Sequence, residues 1–172
     1  MIFCRDESVL WTLYKRRAKV LMQLRFDGVI GFPGGLVDNG EGPIEAVNRE
    51  LLEEAGISND KCQIKASDHL ISHYHKPKNL VLHFFTKEVS PKEFQAIEKG
   101  VMEAEDYGVE TCGIIQPPLY TMGDGIRGLP AFLSNKFCGN ARQQLLYALQ
   151  TCKILEGKEI DKALLASQSL LK

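Results

Sequence analysis

Residues 35–57 read GLVDNGEGPIEAVNRELLEEAGI, and this stretch decides the fold around it. Pro43 is typical of a first helical turn and Gly56 of the position just past a helix, so the stretch predicts a helix ending at Ala55. The segment GFPGG at 31–35 enters it directly and must be an irregular loop. The stretch therefore predicts a loop whose backbone amides lie close to a helix.

The predicted helix carries glutamates at positions 50, 53 and 54, spaced i, i+3 and i+4. That spacing puts Glu50, Glu53 and Glu54 on one face, where like charges repel one another. A divalent cation reverses the sign, because carboxylate oxygens are preferred ligands of Mg²⁺ and Mn²⁺. Arg49 stands four residues before Glu53 and can pair with it. The alternative is an ordinary solvated face of an amphipathic helix, but the glycine-rich loop beside it favours a cation site suited to diphosphate chemistry.

The composition limits the classes of protein that fit. The chain has 172 residues, 44% hydrophobic and 25% charged, with a formal net charge of −1. The length suits one domain over residues 1–172, and the charge excludes binding of nucleic acid by bulk positive field. No apolar run approaches the ~20 residues that span a bilayer, and charges in the first twenty positions exclude a secretory signal. Five cysteines without a C-x-x-C pair predict reduced thiols in a reducing compartment.

The rest of the chain predicts a mixed α/β fold, because strand patterns come first and helical patterns last. Apolar or alternating runs predict strands at 1–4, 9–14, 19–24, 69–75, 79–87 and 109–116. Helical patterns follow at about 90–99, 140–153 and 158–171, with a capping box at Ser90. Asp27-Gly28 predicts a turn, and 123–130 a loop. A mixed sheet between helices accommodates this order.

The spacing of nine residues from Gly35 to Ile57 resembles the complete Nudix box. The matching positions are Gly35, Glu41, Arg49, Glu50, Leu51, Glu53, Glu54, Gly56 and Ile57. Segments 21–35, 117–133 and 137–146 are similar to the Nudix subfamily that includes the U8 snoRNA-decapping enzyme and its inactive sister, syndesmos. The resemblance implies a mixed sheet sandwiched between helices (α/β/α), with the Nudix box at 35–57. Members of that subfamily carry an additional N-terminal segment with a histidine on the base side, and we expect no counterpart of it here.

The resemblance also implies roles for residues in and beside the box. The expected ligands of Mg²⁺ or Mn²⁺ are the carboxylates of Glu50, Glu53 and Glu54 and the backbone carbonyl of Gly34. Glu53 or Glu54 is also expected to deprotonate the attacking water. Glu41 and Arg49 are expected to orient the helix and the loop.

Four further residues are predicted to bind substrate: Arg25, Phe32, His73 and Gln144. Each has an alternative, since Arg25 could be a surface arginine, Phe32 loop core and Gln144 a solvated side chain. His69, His73 and His75 would share one face of a regular strand, which makes a three-histidine zinc site a further alternative. The resemblance favours His73 alone, near the metal or the nucleotide.

The resemblance implies a hydrolase of nucleoside diphosphate derivatives. Expected substrates are inosine or deoxyinosine diphosphate and 5′-capped RNA, with ADP-ribose conjugates as an alternative. A catalytically inactive RNA- or protein-binding module is the competing hypothesis, although all three glutamates are present. We expect a nuclear and cytoplasmic protein without a membrane partner. The apolar segment 154–171 either forms a homodimer interface or caps the sheet.

Overall fold

The computed structural model describes residues 1–170. Eight strands are present: β1 (Ile2–Leu10), β2 (Tyr14–Val20), β3 (Met22–Arg25), β4 (Ile30–Gly31), β5 (His69–His75), β6 (Leu80–Phe85), β7 (Lys87–Glu88) and β8 (Thr111–Ile115). The α-helices are α1 (Pro43–Ala55), α2 (Pro91–Gly100), α3 (Leu129–Leu133), α4 (Ala141–Thr151) and α5 (Gly157–Ser169). Short 3₁₀ turns occupy Ala66–Asp68, Lys76–Lys78 and Val101–Glu103.

The strands form three ladders, with the orders β2-β1-β7, β4-β3-β8 and β5-β6. The pair β1–β7 is parallel and the other pairs are antiparallel, so the strand arrangement is mixed. The amide of Leu21 donates to the carbonyl of Ile2 over 2.9 Å, which joins β1 to the junction of β2 and β3. The short antiparallel ladder β5–β6 forms a hairpin of its own.

Alternation along β1, β2 and β3 sends side chains into two separate cores. Phe3, Val20 and Met22 join a core built with the C-terminal helices. Ile2, Cys4 and Leu21 join a second core built with α1 and α2. The strands therefore lie between two helical layers, and the predicted α/β/α sandwich is confirmed.

The elements predicted most accurately are those whose ends are marked by characteristic residues in the sequence. The helix from Pro43 to Ala55 has the predicted bounds, and Gly56 ends it in the left-handed conformation, with φ of 64°. The capping box of α2 is also present, since Ser90 Oγ accepts from the amide of Glu93 over 3.2 Å. The strands predicted at 69–75 and 79–87 correspond to β5 and β6.

The predicted strand at 9–14 is wrong, because the chain reverses there. Trp11 and Thr12 have φ of 52° and 58°, and the amide of Leu13 donates to the carbonyl of Leu10 over 3.0 Å. These are the features of a type I′ turn, which usually carries asparagine and glycine. The turn was not predicted because its central residues, a tryptophan and a threonine, are not typical of turns.

Three other boundaries differ from the predictions. The run 19–24 is divided at Leu21, where the chain leaves β2 for β3. The loop predicted at 123–130 ends earlier, because α3 begins at Leu129. The last helix, predicted to reach residue 171, is described as far as Ser169, and residue 171 lies outside the described residues.

All five cysteines are free, as expected for reduced thiols, and Cys4 and Cys62 are buried. Within residues 1–170, no helix combines the length and the apolar character needed to cross a membrane.

Candidate active site

The glycine loop lies against the carboxylate face of α1. The amide of Gly34 donates to Glu54 Oε2 over 2.7 Å. Gly35 lies against Glu50, and a methyl group at Gly35 would overlap the Glu50 carboxylate. The Glu50 carboxylate can therefore keep this position only because residue 35 has no side chain.

Arg49 binds three of the acidic residues. Its Nη1 donates to Glu50 Oε1 over 2.9 Å and to Glu53 Oε2 over 2.8 Å. Its Nε donates to Glu41 Oε1 over 3.1 Å, and its Nη2 donates to the carbonyl of Leu36 over the same distance. The bond from Arg49 holds the pKa of Glu41 below its usual value and raises the pKa of Arg49. The guanidinium thus links the loop to the helix, while the orienting role of Glu41 and Arg49 in catalysis stays a prediction.

Glu54 is buried, with 1% of its surface exposed. Its Oε1 has no hydrogen-bond partner among residues 1–170. Burial raises the pKa of Glu54, and the Gly34 amide opposes that effect. Burial also raises the pKa of Glu50, with smaller contributions from the charges of Glu53 and Glu110. In the carboxylate cluster of Glu50, Glu53 and Glu54, two members, Glu50 and Glu54, therefore lie where a negative charge is costly without a cation nearby.

The three carboxylates share a face of α1 but do not meet at one point. Arg49 Nη1 bonds to both Glu50 and Glu53, while one oxygen of Glu54 faces Gly34. Accordingly, no group of three or more His, Cys, Asp or Glu side chains in the described part of the chain is arranged to hold a metal ion. The donor types nevertheless fit Mg²⁺ or Mn²⁺, because all three side chains offer carboxylate oxygens and the buried Oε1 of Glu54 lacks a hydrogen-bond partner within residues 1–170.

A cavity of about 420 Å³ opens beside the loop. It is bordered by Phe32, Gly34 and Gly35 on one side, by the whole of β6, and by Gln144 of α4. Phe32 is half-buried, and its ring lies 5.1 Å from that of Phe84, so it both packs on the hairpin and faces the cavity. Phe32, Gly34 and Gln144, predicted from separate parts of the chain, thus border one space.

Arg25 does not border the cavity but lies near the cluster. Its side chain is 19% exposed, so the alternative of a free surface arginine is wrong. Its Nε lies 3.6 Å from Asp27 Oδ1 and makes no hydrogen bond within residues 1–170. The positive charge of Arg25 lowers the pKa of Glu54, against the larger effect of burial.

The histidines do not share a face as a regular strand would require. Register shifts between His69 and Ile71, where β5 carries a bulge. The bulge turns His69 to the face of Ser72, to which its Nε2 is hydrogen-bonded over 2.8 Å, while His73 and His75 lie on the other face. The alternative of a zinc site formed by His69, His73 and His75 is therefore wrong.

His73 lies on the hairpin face that packs toward the loop. It pairs with Leu82, and Phe84 of the same face contacts Phe32. His73 itself does not line the cavity, and its buried Nδ1 has no hydrogen-bond partner in the described chain. The predicted role of His73 in substrate binding stays a prediction.

Several residues near the site were missed by sequence reasoning. Gln23 is 1% exposed on β3, and its Nε2 has no partner within the described residues. The sequence did single out Gln23, because it is the one polar residue in the apolar run 20–24. His83, Cys138 and Asn140 border the cavity, but nothing local in the sequence brings them to the box.

Comparisons with known proteins find relatives over most of the chain. Residues 1–155 match the family described as Nudt16-like: U8 snoRNA-decapping enzyme-like. A U8 snoRNA-decapping enzyme of Homalodisca vitripennis is 50% identical over 134 residues, which is 78% of this chain and 72% of that protein. The Bos taurus protein of the same name is 43% identical over 157 residues, covering 91% of this chain and 80% of that one.

A second group of relatives has a different name. A Homo sapiens Tudor-interacting repair regulator protein is 34% identical over 169 residues, covering 97% of this chain and 78% of that protein. Among solved structures, a mutT/nudix family protein from Listeria innocua matches with a TM-score of 0.54 at 16% identity, over 88% of this chain and 90% of that one. At that identity the likeness shows the fold alone.

Proposed function

Because the chain belongs to the Nudt16-like, U8 snoRNA-decapping enzyme-like family of Nudix hydrolases, we propose that it cleaves the diphosphate of nucleoside diphosphates and of 5′-capped RNA. Inosine and deoxyinosine diphosphates are the small-molecule substrates of this proposal. The observation that carries it is the buried carboxylate of Glu54, which accepts a hydrogen bond from the amide of Gly34, a residue that also borders the cavity. Burial of an incompletely satisfied charge has no structural benefit, but it suits a cation ligand.

The proposed ligands of Mg²⁺ or Mn²⁺ are Glu50, Glu53, Glu54 and the carbonyl of Gly34. When bound, such an ion neutralises diphosphate charge and polarises phosphoryl oxygens. Glu50 and Glu53 each give one oxygen to Arg49, so an ion bound through those same oxygens would replace bonds to Arg49. The remaining bonds from Arg49 to Glu41 and the Leu36 carbonyl keep the guanidinium beside the site during that exchange.

We assign the activation of water to Glu53 rather than Glu54. The side chain of Glu53 is 34% exposed, and only its Oε2 is bonded to Arg49, which leaves Oε1 available to a water molecule. Glu54 is buried and one of its oxygens is bonded to the loop, an environment better suited to a fixed ligand. A general base must lie within hydrogen-bond reach of water, which favours the more exposed carboxylate.

The cavity supplies groups that fit a purine nucleotide. The ring of Phe32 offers a stacking surface, and the side-chain amide of Gln144 can both donate to and accept from a base edge. Hypoxanthine presents an N–H donor beside a carbonyl acceptor, which matches that pair of groups. Arg25 and His73 flank the site and are proposed to contact phosphate or sugar.

Product analysis tests the proposal. Inosine diphosphate, capped RNA and ADP-ribose are incubated separately with the protein, with and without Mn²⁺. We expect monophosphate release from the first two, only with metal. Glu53→Gln and Glu54→Gln should each reduce turnover on the order of 10²-fold or more. Glu45→Gln is the matched control, because Glu45 belongs to the same helix but only caps it through the Gly42 amide.

Each alternative has its own outcome in this experiment. No release from any diphosphate would identify a binding module and overturn the proposal. ADP-ribose cleaved fastest by a wide margin would overturn the substrate assignment while keeping the hydrolase. Unchanged turnover in both glutamine variants would remove the glutamates from the mechanism.

A further inference from the structure

The β5–β6 hairpin differs in charge from the rest of the molecule. Residues 69–85 contain no aspartate or glutamate, although the whole chain has 22 acidic residues against 21 basic ones. All four histidines of the protein lie in this segment, and Lys76 and Lys78 occupy the exposed turn at its tip. The hairpin is therefore locally basic on a nearly neutral protein, a charge that would attract an anionic partner.

One face of the hairpin is exposed along its length and carries a chain of polar contacts. Ser72 Oγ is hydrogen-bonded over 2.8 Å both to His69 Nε2 and to His83 Nδ1. The two imidazole rings are tilted with centroids 6.1 Å apart, and both residues are exposed. The serine thus fixes two rings at the surface of the hairpin.

Tyr74 extends the same face toward the tip. It pairs with Val81, the next pair on the same face after Ser72–His83, and is 62% exposed. Its hydroxyl donates to Asn79 Oδ1 over 2.8 Å, which restrains the ring while leaving much of it exposed. An exposed, restrained tyrosine beside two lysines is typical of a stacking platform for single-stranded nucleic acid.

The outward face is continuous with the candidate active site. Every residue of β6 from Leu80 to Phe85 borders the cavity, including His83 of the exposed face. A chain that leaves the cavity past Val81 and His83 would run along the outward face of the hairpin. β5 spans seven residues, or about 23 Å at the usual rise, which is enough for a few nucleotides.

We propose that this face, defined by His69, Ser72, Tyr74, Val81 and His83 with Lys76 and Lys78 at the tip, binds the single-stranded RNA that follows the 5′ end of a substrate. The lysines contact phosphates, and Tyr74 and the histidine rings stack on bases. The direction of the RNA rests on the proposed function, because it assumes a capped end in the cavity. Binding of RNA to the face does not depend on hydrolysis and can be measured separately.

Charge removal at the tip is the first test. The probe is an uncapped single-stranded RNA of about ten nucleotides, within the range of known site sizes. Its dissociation constant is measured by fluorescence anisotropy at several salt concentrations. Lys76→Ala/Lys78→Ala should weaken binding and reduce the slope of log affinity against log salt by about 1.4, since each phosphate contact on a single strand contributes about 0.7.

The matched control removes the same charge elsewhere. Lys15 and Lys162 are exposed and border a different cavity, of about 410 Å³, beside Tyr14 and Tyr120. Lys15→Ala/Lys162→Ala should leave the affinity and the salt slope nearly unchanged. Equal losses in both double variants would mean that RNA responds only to total charge, and the proposal would be wrong.

The aromatic part of the proposal has its own variants. Tyr74→Ala should weaken RNA binding about tenfold, whereas Tyr74→Phe, which keeps the ring and loses the bond to Asn79, should retain most of it. Equal binding by the wild type and Tyr74→Ala would exclude stacking. A poly-glutamate peptide that competes as well as RNA would identify a surface for acidic peptides instead, and would also overturn the proposal.

Kinetics separates this proposal from the proposed function. In Lys76→Ala/Lys78→Ala, the KM for capped RNA should rise while turnover of inosine diphosphate stays at the wild-type value. A rise in KM for both substrates would place the lysines in the nucleotide site and contradict the proposal. If the wild type cleaved no diphosphate at all, the proposed function would fail while the RNA-binding measurements would still decide the role of the hairpin.

Discussion

Glu54 combines burial with an oxygen that no other group in the described chain satisfies. An ionised carboxylate in that position lowers the stability of the metal-free protein, because its desolvation is only partly offset by the Gly34 amide. Burial raises its pKa, so the folded state binds a proton more tightly than the unfolded state. Stability from this group is therefore present below the ordinary glutamate pKa of 4.5 and is lost as the pH rises through the raised value.

Glu54→Gln tests whether the charge of Glu54 lowers stability while being required for catalysis. The neutral amide can still accept the Gly34 bond, so the metal-free variant should be as stable as the wild type or more stable at pH 8 while turnover collapses. Its stability should also depend less on pH above 4.5. Thermal melts at several pH values, with metal chelated, measure both. A large loss of Tm at pH 8 would show that the charge itself stabilises the fold.

For Arg49 we predict the opposite effect, a substitution that lowers the stability of the metal-free protein. Arg49→Ala leaves Glu41, Glu50 and Glu53 without their shared guanidinium, so the metal-free protein should lose about 2 kcal/mol of unfolding free energy. Mn²⁺ should restore more stability to this variant than to the wild type, because the carboxylates no longer have to exchange a partner. Urea unfolding with and without Mn²⁺ checks this, and equal stabilisation of both proteins would contradict it.

At the scale of the element, local signals explain which predictions succeeded. Helix α1 was predicted to its bounds because Pro43 and Gly56 mark its ends within the sequence itself. The turn at Trp11 and Thr12 was missed because its residues are atypical of a type I′ turn. The bulge between His69 and Ile71 was missed because period-2 counting assumes a regular strand.

The residues of the candidate site also differ in how far local sequence signals predict them. The carboxylates of α1 were predictable because they belong to one local motif. Gln23, whose side chain lowers the pKa of Glu54, lies near it only through the packing of β3. Gln144 was placed at the cavity by resemblance rather than by any local pattern. The engagement of Arg49 with Glu50 as well as Glu53 was likewise beyond the sequence, because side-chain pairing depends on the loop that packs against them.

Gly56 is the residue through which α1 meets the 3₁₀ turn that follows α2. It has φ of 64°, and a Cβ there would lie 2.8 Å from the carbonyl oxygen of Gly100. Gly56→Ala should therefore cost about 1–3 kcal/mol, from backbone strain and from the displaced contact. Gly40→Ala is the control, with positive φ but nothing within 4 Å, and should cost about 1 kcal/mol or less. Equal losses in urea unfolding would exclude the contact as a cause.

Across the whole molecule, the near-neutral total conceals a separation of charge. Acidic groups converge on α1, and the hairpin of residues 69–85 carries none. The protein thus has an acidic cluster on α1 and a locally basic hairpin, and the cavity runs between the Gly34–Gly35 loop beside that cluster and the strand β6 of the hairpin. The nuclear and cytoplasmic location and the homodimer stay predictions of the sequence.

This arrangement predicts how RNA affinity depends on the ligand. A non-hydrolysable capped RNA should bind tightly only with a divalent cation, and removing the cap or the metal should weaken binding more than shortening the RNA. Affinity should rise over the first few nucleotides, which the hairpin reaches, and then level off. Anisotropy titrations over a series of lengths measure this. Affinity that climbs steadily with length and ignores the cap would contradict it.

The contact between Gly35 and Glu50 should affect how residues 35 and 50 vary among related proteins. The carboxylate occupies the volume that a side chain at position 35 would need, so a larger residue there would displace the end of the Glu50 side chain from its present position. A lineage that keeps Glu50 in this position should favour glycine opposite it, and a lineage that shortens residue 50 loses that preference. Across relatives, a larger residue at 35 should therefore coincide with a smaller one at 50, and the pair should mark which branches have given up the chemistry.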